Sequence, residues 1–270
     1  MAGEAYTSYS DIVNKTTTEG KVATRLYNKV SSAPEAAGQM HTLWKAAGLV
    51  GAGVDPATTP GTAYDDAAGS MTLPDQATYK FLLRAEVMST VSCTLLLFDR
   101  LVGVSGLALG STGNKTVSSA ALPRYTDGVG VEALLELTTA SSANVGVVSM
   151  NSYTDTDNND TQAGGNVTFT AAAQNVDSLF PLPLAAGDVG VKAVATINVG
   201  TATTGGVANL LLVKQLAMIP AIANIATLVD FTRAFAGPPR IYDGASLFCA
   251  FIAGGTGAHT IRSAFTFGWG

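Results

Sequence analysis

The stretch TVSCTLLLFDRLVGVSG, Thr90–Gly106, decides the fold class. It opens on β-branched and aliphatic residues, Val91, Thr94, Leu95, Leu96 and Leu97, and reaches Phe98. A short apolar run bounded by turn-forming residues is the pattern of a buried strand rather than a helix. The charges Asp99 and Arg100 are expected to end that strand and to fix the glycine-containing loop after it by hydrogen bonds or an ion pair. The preceding run, Tyr79–Met88 (YKFLLRAEVM), alternates and reads as the neighbouring strand.

Outward from this pair the period stays close to two. Strands are expected at about 79–88, 91–99, 114–119, 130–139, 144–152, 165–173, 189–199, 206–213, 241–251 and 259–268. Turn material such as Gly110-Ser111-Thr112-Gly113 and Thr126-Asp127-Gly128 separates them. Many short strands at this spacing predict an all-β fold, an antiparallel β-sandwich or jelly roll. Between about 215 and 232, Leu216, Ile219, Ile222, Ile225 and Val229 leave period two. That segment reads as a short helix or irregular crossover limited by Pro220.

The N-terminal part reads differently. Residues 1–30 are polar, with Ser10 and Asp11 as N-cap candidates, and are expected to form a mobile or partner-dependent arm. Ser31-Ser32-Ala33-Pro34-Glu35 has the residues of a helix start. Met40, Leu43, Trp44 and Ala47 share a helical face that would end at Gly48. From Gly48 to Pro74 the chain is loop-like, the kind of long segment that often carries function or contact. The expected division is therefore an N-terminal arm with short helices and a long loop over 1–75, followed by a β-sandwich (jelly-roll-like) domain over 76–270.

Composition narrows the function. Of 270 residues, 47% are hydrophobic and 13% charged, against about 25% charged in ordinary soluble domains. Mean hydropathy is +0.28. So few charges favour a surface partly buried in an assembly. The net charge is −5, and the 15 Lys and Arg are scattered. A nucleic-acid partner leaves a basic patch or arm, so none is expected. No apolar run reaches 18 residues and the first residues lack the order of a signal peptide, so neither a membrane partner nor export is expected. Cys93 and Cys249 lie in apolar strand-like runs and read as buried free thiols, with a disulfide between them left open.

No catalytic, cofactor-binding or metal-binding residue is assigned, and no cofactor is expected. The acidic loop Asp155-Thr156-Asp157-Asn158-Asn159-Asp160 offers alternating oxygens, as Ca²⁺ sites do. In an EF-hand frame, however, its sixth position is Asp160 rather than Gly and its twelfth is Asn166 rather than Glu. It reads as a solvated hairpin tip. His41 and His259 lack metal-ligand spacing. Gly103-Val104-Ser105 starts a nucleophile elbow but has Leu107 in place of the last glycine. Gly113-Asn114-Lys115-Thr116 reads as a β-turn rather than a phosphate loop. Asp99 and Asp243 each follow an aromatic residue beside an apolar strand and read as turn caps. The tail Phe265-Thr266-Phe267-Gly268-Trp269-Gly270 reads as a last strand with one aromatic face, or as a strand added to a neighbour's sheet edge.

Five segments carry a family resemblance: Leu43-Trp44-Lys45-Ala46-Ala47-Gly48, Leu95–Leu101 (LLLFDRL), Ala121–Glu132 (ALPRYTDGVGVE), Pro181–Val191 (PLPLAAGDVGV) and Pro239–Ala245 (PRIYDGA). From about residue 40 to the C-terminus the chain resembles a family of virion structural proteins of tailed bacteriophages. The resemblance implies an accessory head protein, a capsid decoration or cement protein that stabilises the assembled shell. It implies the major capsid protein and the chain itself, as a homo-oligomeric trimer or dimer, as partners. It places the protein on the capsid surface of the virion, after synthesis in the host cytoplasm. The alternatives are a tail, neck or fibre component and, from another class, a virion-associated polysaccharide-degrading enzyme.

Overall fold

The computed structural model describes residues 6–31, 35–76, 78–142, 145–169, 174–233 and 237–270. Its architecture is all-β and antiparallel, with one short N-terminal helix, α1 (Tyr9–Val13), running into a π-helical turn over Asn14–Thr18. Among the described residues seventeen strands, numbered in chain order, form a closed barrel and two sheets packed on its outside.

The barrel is built on its two longest strands, β6 (Cys93–Ala108) and β13 (Gly205–Ala221), which pair along almost their whole length. From β13 the ring continues through β8 (Val131–Ser141), β11 (Ser178–Leu182), β2 (Met40–Thr42) and β16 (Leu247–Ala253) back to β6. Closure removes the edges that an open sheet leaves unpaired. A two-residue strand, β4 (Thr62–Ala63), extends the wall beside β6.

Sheet I has the order β14 (Thr227–Asp230), β5 (Lys80–Ser89), β17 (Thr260–Trp269), β1 (Val22–Val30), β3 (Gly48–Leu49), with β15 (Arg240–Ile241) also on β5. Sheet II has the order β10 (Asn166–Phe169), β9 (Gly146–Asp155), β12 (Val191–Thr201), β7 (Gly113–Thr116).

Alternation explains why one strand serves three clusters. On β6, Leu96 and Phe98 point into the barrel with Trp44, Leu134, Leu211 and Phe248. Cys93, Leu95 and Leu97 point outward against Tyr27, Val87, Ile261, Phe265 and Phe267 of sheet I. Further along, Val102 and Val104 point outward against Val148, Val194 and Ile197 of sheet II. On β13, Ala217 and Ile219 face sheet I and Leu210 and Leu212 face sheet II. Each buried Leu, Ile or Phe contributes about 1.5–3 kcal/mol, so the two long strands tie both sheets to one wall.

Four expectations need correction. First, Asp99 and Arg100 do not end β6; it runs nine residues past Asp99 to Ala108. Leu101 is skipped in the pairing with β13, a bulge that re-phases the strand as it passes from sheet I to sheet II. Both charges have buried partners, so neither needs a turn. Second, residues 40–47 are not a helix. Met40–Thr42 form β2, whose backbone bridges β11 and β16 and completes the ring. The start of the expected helix, residues 32–34, lies outside the described residues. Third, residues 22–30, expected in a mobile arm, form nine consecutive pairs with β17. Tyr27 and Lys29 turn inward while Val22, Leu26 and Val30 turn outward. Fourth, the helix or crossover over 215–232 is the extension of β13 to Ala221, then β14 and a 3₁₀ turn at Phe231–Arg233. A pairing irregularity at Leu216 shifts the phase there, which is why the apolar spacing departs from two.

Candidate interaction surface

The residues with a chemical look are held inside the fold. Asp99 and Arg100, adjacent on β6, point to opposite faces of the wall. Arg124 clamps Asp99 with two bonds, Nε to Oδ2 at 3.0 Å and Nη2 to Oδ1 at 2.8 Å. The Ser246 amide donates to the same carboxylate at 3.0 Å. Burial pushes the Asp99 carboxyl above its ordinary range, against the pull of Arg124. Inside the barrel, Arg100 donates to both oxygens of Glu136, at 3.3 and 3.2 Å. Its guanidinium lies 4.5 Å from the Trp44 ring centre and 4.9 Å from that of Tyr64, a cation–π arrangement. Asn209 joins Glu136 to Asp55, at 3.0 and 2.8 Å.

Asp55, Val54 and Tyr64 belong to the long loop after Gly48. The loop folds back on the barrel, with Trp44 Nε1 donating to the Val54 carbonyl at 3.0 Å and Tyr64 buried beside Arg100. Much of this segment thus seals one end of the barrel.

The fold brings the two histidines together. His41 Nδ1 lies 2.8 Å from Glu35 Oε2, and the Phe251 ring sits between His41 and His259, 5.7 and 4.6 Å from their centres. Both imidazoles are buried, and burial lowers the His259 pKa below 6.5. Cys93 and Cys249 are buried free thiols. Asp243 pairs with buried Lys80 at 2.6 Å and accepts from the Gln76 amide at 3.3 Å. Gly113–Thr116 are a strand, β7, on the edge of sheet II. The aromatic tail is a central strand of sheet I, with Phe265 and Phe267 facing the barrel.

The acidic loop caps itself. Asp155 Oδ1 accepts from the amides of Asp157 (2.8 Å) and Asn159 (2.9 Å), and its Oδ2 from the Asn159 side chain (2.7 Å). Those bonds hold its carboxyl below the usual range. The Lys192 ammonium occupies the position a cation would want, bonded to the Thr156 carbonyl at 2.9 Å and Asn158 Oδ1 at 2.8 Å. Among the described residues no group of three or more His, Cys, Asp or Glu is arranged to hold a metal ion.

What remains is surface, and there the two flanking sheets part. Cross-strand registry lays the outward residues of sheet II in rows: Asn166, Ser149, Asn198, Asn114, and then Ser152, Thr196, Thr116. Short hydroxyl and amide side chains fill these rows. On sheet I the corresponding rows are Leu228, Glu86, Ala264, Leu26, and then Met88, Arg262, Asn28, Leu49. Leu228, Leu26 and Leu49 are 55%, 49% and 51% exposed. Singly exposed leucines are ordinary, but several in register on one sheet face mark a contact patch.

The N-terminal turn covers one end of that face. Gly268 has no side chain, and a Cβ there would strike Tyr6, Leu83 and Thr16, so glycine lets the turn lie on the sheet. Over the uncovered rows runs a shallow groove of about 240 Å³, lined by Leu26, Met88, Ala264, Glu86 and Arg262. Sequence reasoning did not find this face. Its one signal is that β1 carries Val22, Leu26 and Val30 on the side opposite the buried Tyr27.

No protein-family model matches the chain, and no curated protein matches it. Among solved structures, the chain is weakly similar to one from the infectious bursal disease virus Gt strain, 9% identical over 96% of this chain and 86% of that one, with a TM-score of 0.17. It is likewise weakly similar to the VP2 subviral particle of the same virus, 8% identical with the same coverage and a TM-score of 0.15. Likenesses of this size carry no argument about what this protein does.

Proposed function

We propose that this chain is a structural virion protein of a tailed phage that binds the assembled capsid as a decoration or cement protein and works through surface contact rather than chemistry. The observation that supports it best is the contrast between the two flanking sheets. The polar groups that look chemical are paired inside the fold, whereas sheet I presents ordered apolar rows to the outside. The resemblance over residues 40–270 and the low charge content point the same way. A protein that binds only the assembled shell stabilises it by mass action, and many copies on a lattice add avidity.

The test is a count and a challenge on purified particles. The reading expects this chain in copies matched to the shell lattice, and particles stripped of it should release DNA at a lower temperature. Copies matching a tail, neck or fibre part would move the protein there. Unchanged thermal release after stripping would remove the cementing role.

A further inference from the structure

We propose that the open face of sheet I is covered by a second copy of this chain across a two-fold axis, with Glu86 of each copy meeting Arg262 of the other. The inference names the partner of the face on which the assembly reading rests. Arg262 is exposed on β17 and makes no hydrogen bond or ion pair among the described residues. It stands between Met88 and Asn28, with Leu49 at the end of the row. Glu86 lies in the next row on β5, and its side chain is 50% exposed, with Arg84 at 3.3 Å on the same strand. An exposed pair of that kind contributes little, so Glu86 is free to take a second cation.

The charges are what select a second copy. The face carries Asp230, Arg84, Glu86 and Arg262, two of each sign. A partner of one dominant charge would leave half of them unmatched. A two-fold contact is isologous, so the patch must hold both halves of every pair it makes, and this one does. The leucines at the two ends of the rows and the groove of about 240 Å³ beside Arg262 supply apolar surface to bury around the pairs, as interface cores do.

The test uses the isolated full chain and sedimentation velocity over a range of concentrations. Wild type should form dimers. Glu86→Arg places Arg against Arg262 twice, and Arg262→Glu places Glu against Glu86 twice, so each variant should dissociate at least about tenfold more readily. Mixed together they should form a heterodimer, because both contacts are then opposite in charge. Circular dichroism of each variant, and its melting temperature at dilutions where wild type is monomeric, should match wild type, both residues being exposed.

Dimerisation of the mixture with neither variant dimeric alone supports the proposal. A wild-type chain that stays monomeric overturns it, as do reversals without effect or a mixture that stays monomeric. If Leu26→Asp abolishes particle binding while wild type is monomeric, the face takes a different protein, and the self-contact is overturned with the virion reading intact. If wild type dimerises as described but is absent from particles, the virion reading fails and the self-contact stands.

Discussion

Sheets I and II solve the same problem on their inner faces and opposite problems on their outer ones. Both lay aliphatic and aromatic side chains on the barrel wall, Phe265 and Phe267 from one, Val194 and Ile197 from the other. Outward, sheet II presents mostly Asn, Ser and Thr, with Val147 between Thr168 and Thr201, whereas sheet I has, beside the polar row Asp230, Arg84, Thr266, Thr24, two rows that contain Leu26, Leu49, Met88 and Leu228. Folding requires only the inner faces. The difference on the outer faces therefore speaks to what the folded chain touches.

The largest effects should come from the wall both sheets share. Glu136→Leu leaves Arg100 buried without its carboxylate, which costs about 3–5 kcal/mol. Chemical denaturation should show that loss, and hydrogen exchange should rise in both sheets together. Loss of protection in one sheet alone would mean the barrel is not their common support.

Next come the inner faces. Phe265→Ala on sheet I and Ile197→Ala on sheet II should each destabilise, by about 3–5 and 2–5 kcal/mol respectively. A cost near zero at either position would show that its sheet does not depend on packing against the barrel.

The outer faces should separate stability from association. Leu26→Ser and Ser149→Leu should each change unfolding free energy by no more than about 0.5 kcal/mol, as surface substitutions do. Leu26→Ser should weaken self-association in light scattering, and Ser149→Leu should increase it, by giving sheet II the character of sheet I. If Leu26→Ser leaves association as it was, the contrast has no bearing on contacts.

Acid should distinguish the two sides most gently. His259, the residue before β17, is held below its ordinary 6.5 by burial, so the unfolded chain binds its proton first. Its contribution to stability is complete above 6.5 and declines as pH falls through that value. Of the charged groups that face it, Glu35 raises its pKa and His41 lowers it, each by less than burial does. On sheet II, Asp155 is held below 3.8 by Asn159 and nearby amides, so its contribution declines only as pH falls below that range. Between pH 6.5 and 4, protection factors, which remove the intrinsic pH dependence of amide exchange, should fall at the ends of β1 and β17 and stay constant in β9. In His259→Gln, the step on sheet I should flatten.

Much of the fold was legible because period-two alternation survives in long strands: Lys80–Ser89, Val131–Ser141 and Thr260–Trp269 fall where their spacing places them. What was missed depends on partners far away in sequence. Met40–Thr42 is a strand only because β11 and β16 lie on either side, and nothing in three residues announces that. Leu216 breaks the alternation of β13 because a bulge does, and in sequence a bulge looks like a change of period. Asp99 and Arg100 looked like a strand end because Arg124 and Glu136, 25 and 36 residues away, could not be assigned to them. The outer face of sheet I was invisible for a related reason: Leu26 reads as core until one knows that Tyr27 already faces it.

Oxidative footprinting by hydroxyl radicals tests the central claim most directly. The chain is labelled dilute, concentrated and on purified particles. The account predicts that Leu26, Leu49, Met88 and Leu228 lose reactivity on association, while residues 147–154 and 195–198 of sheet II keep theirs. Protection on sheet II, or unchanged reactivity across the rows of sheet I, would contradict it.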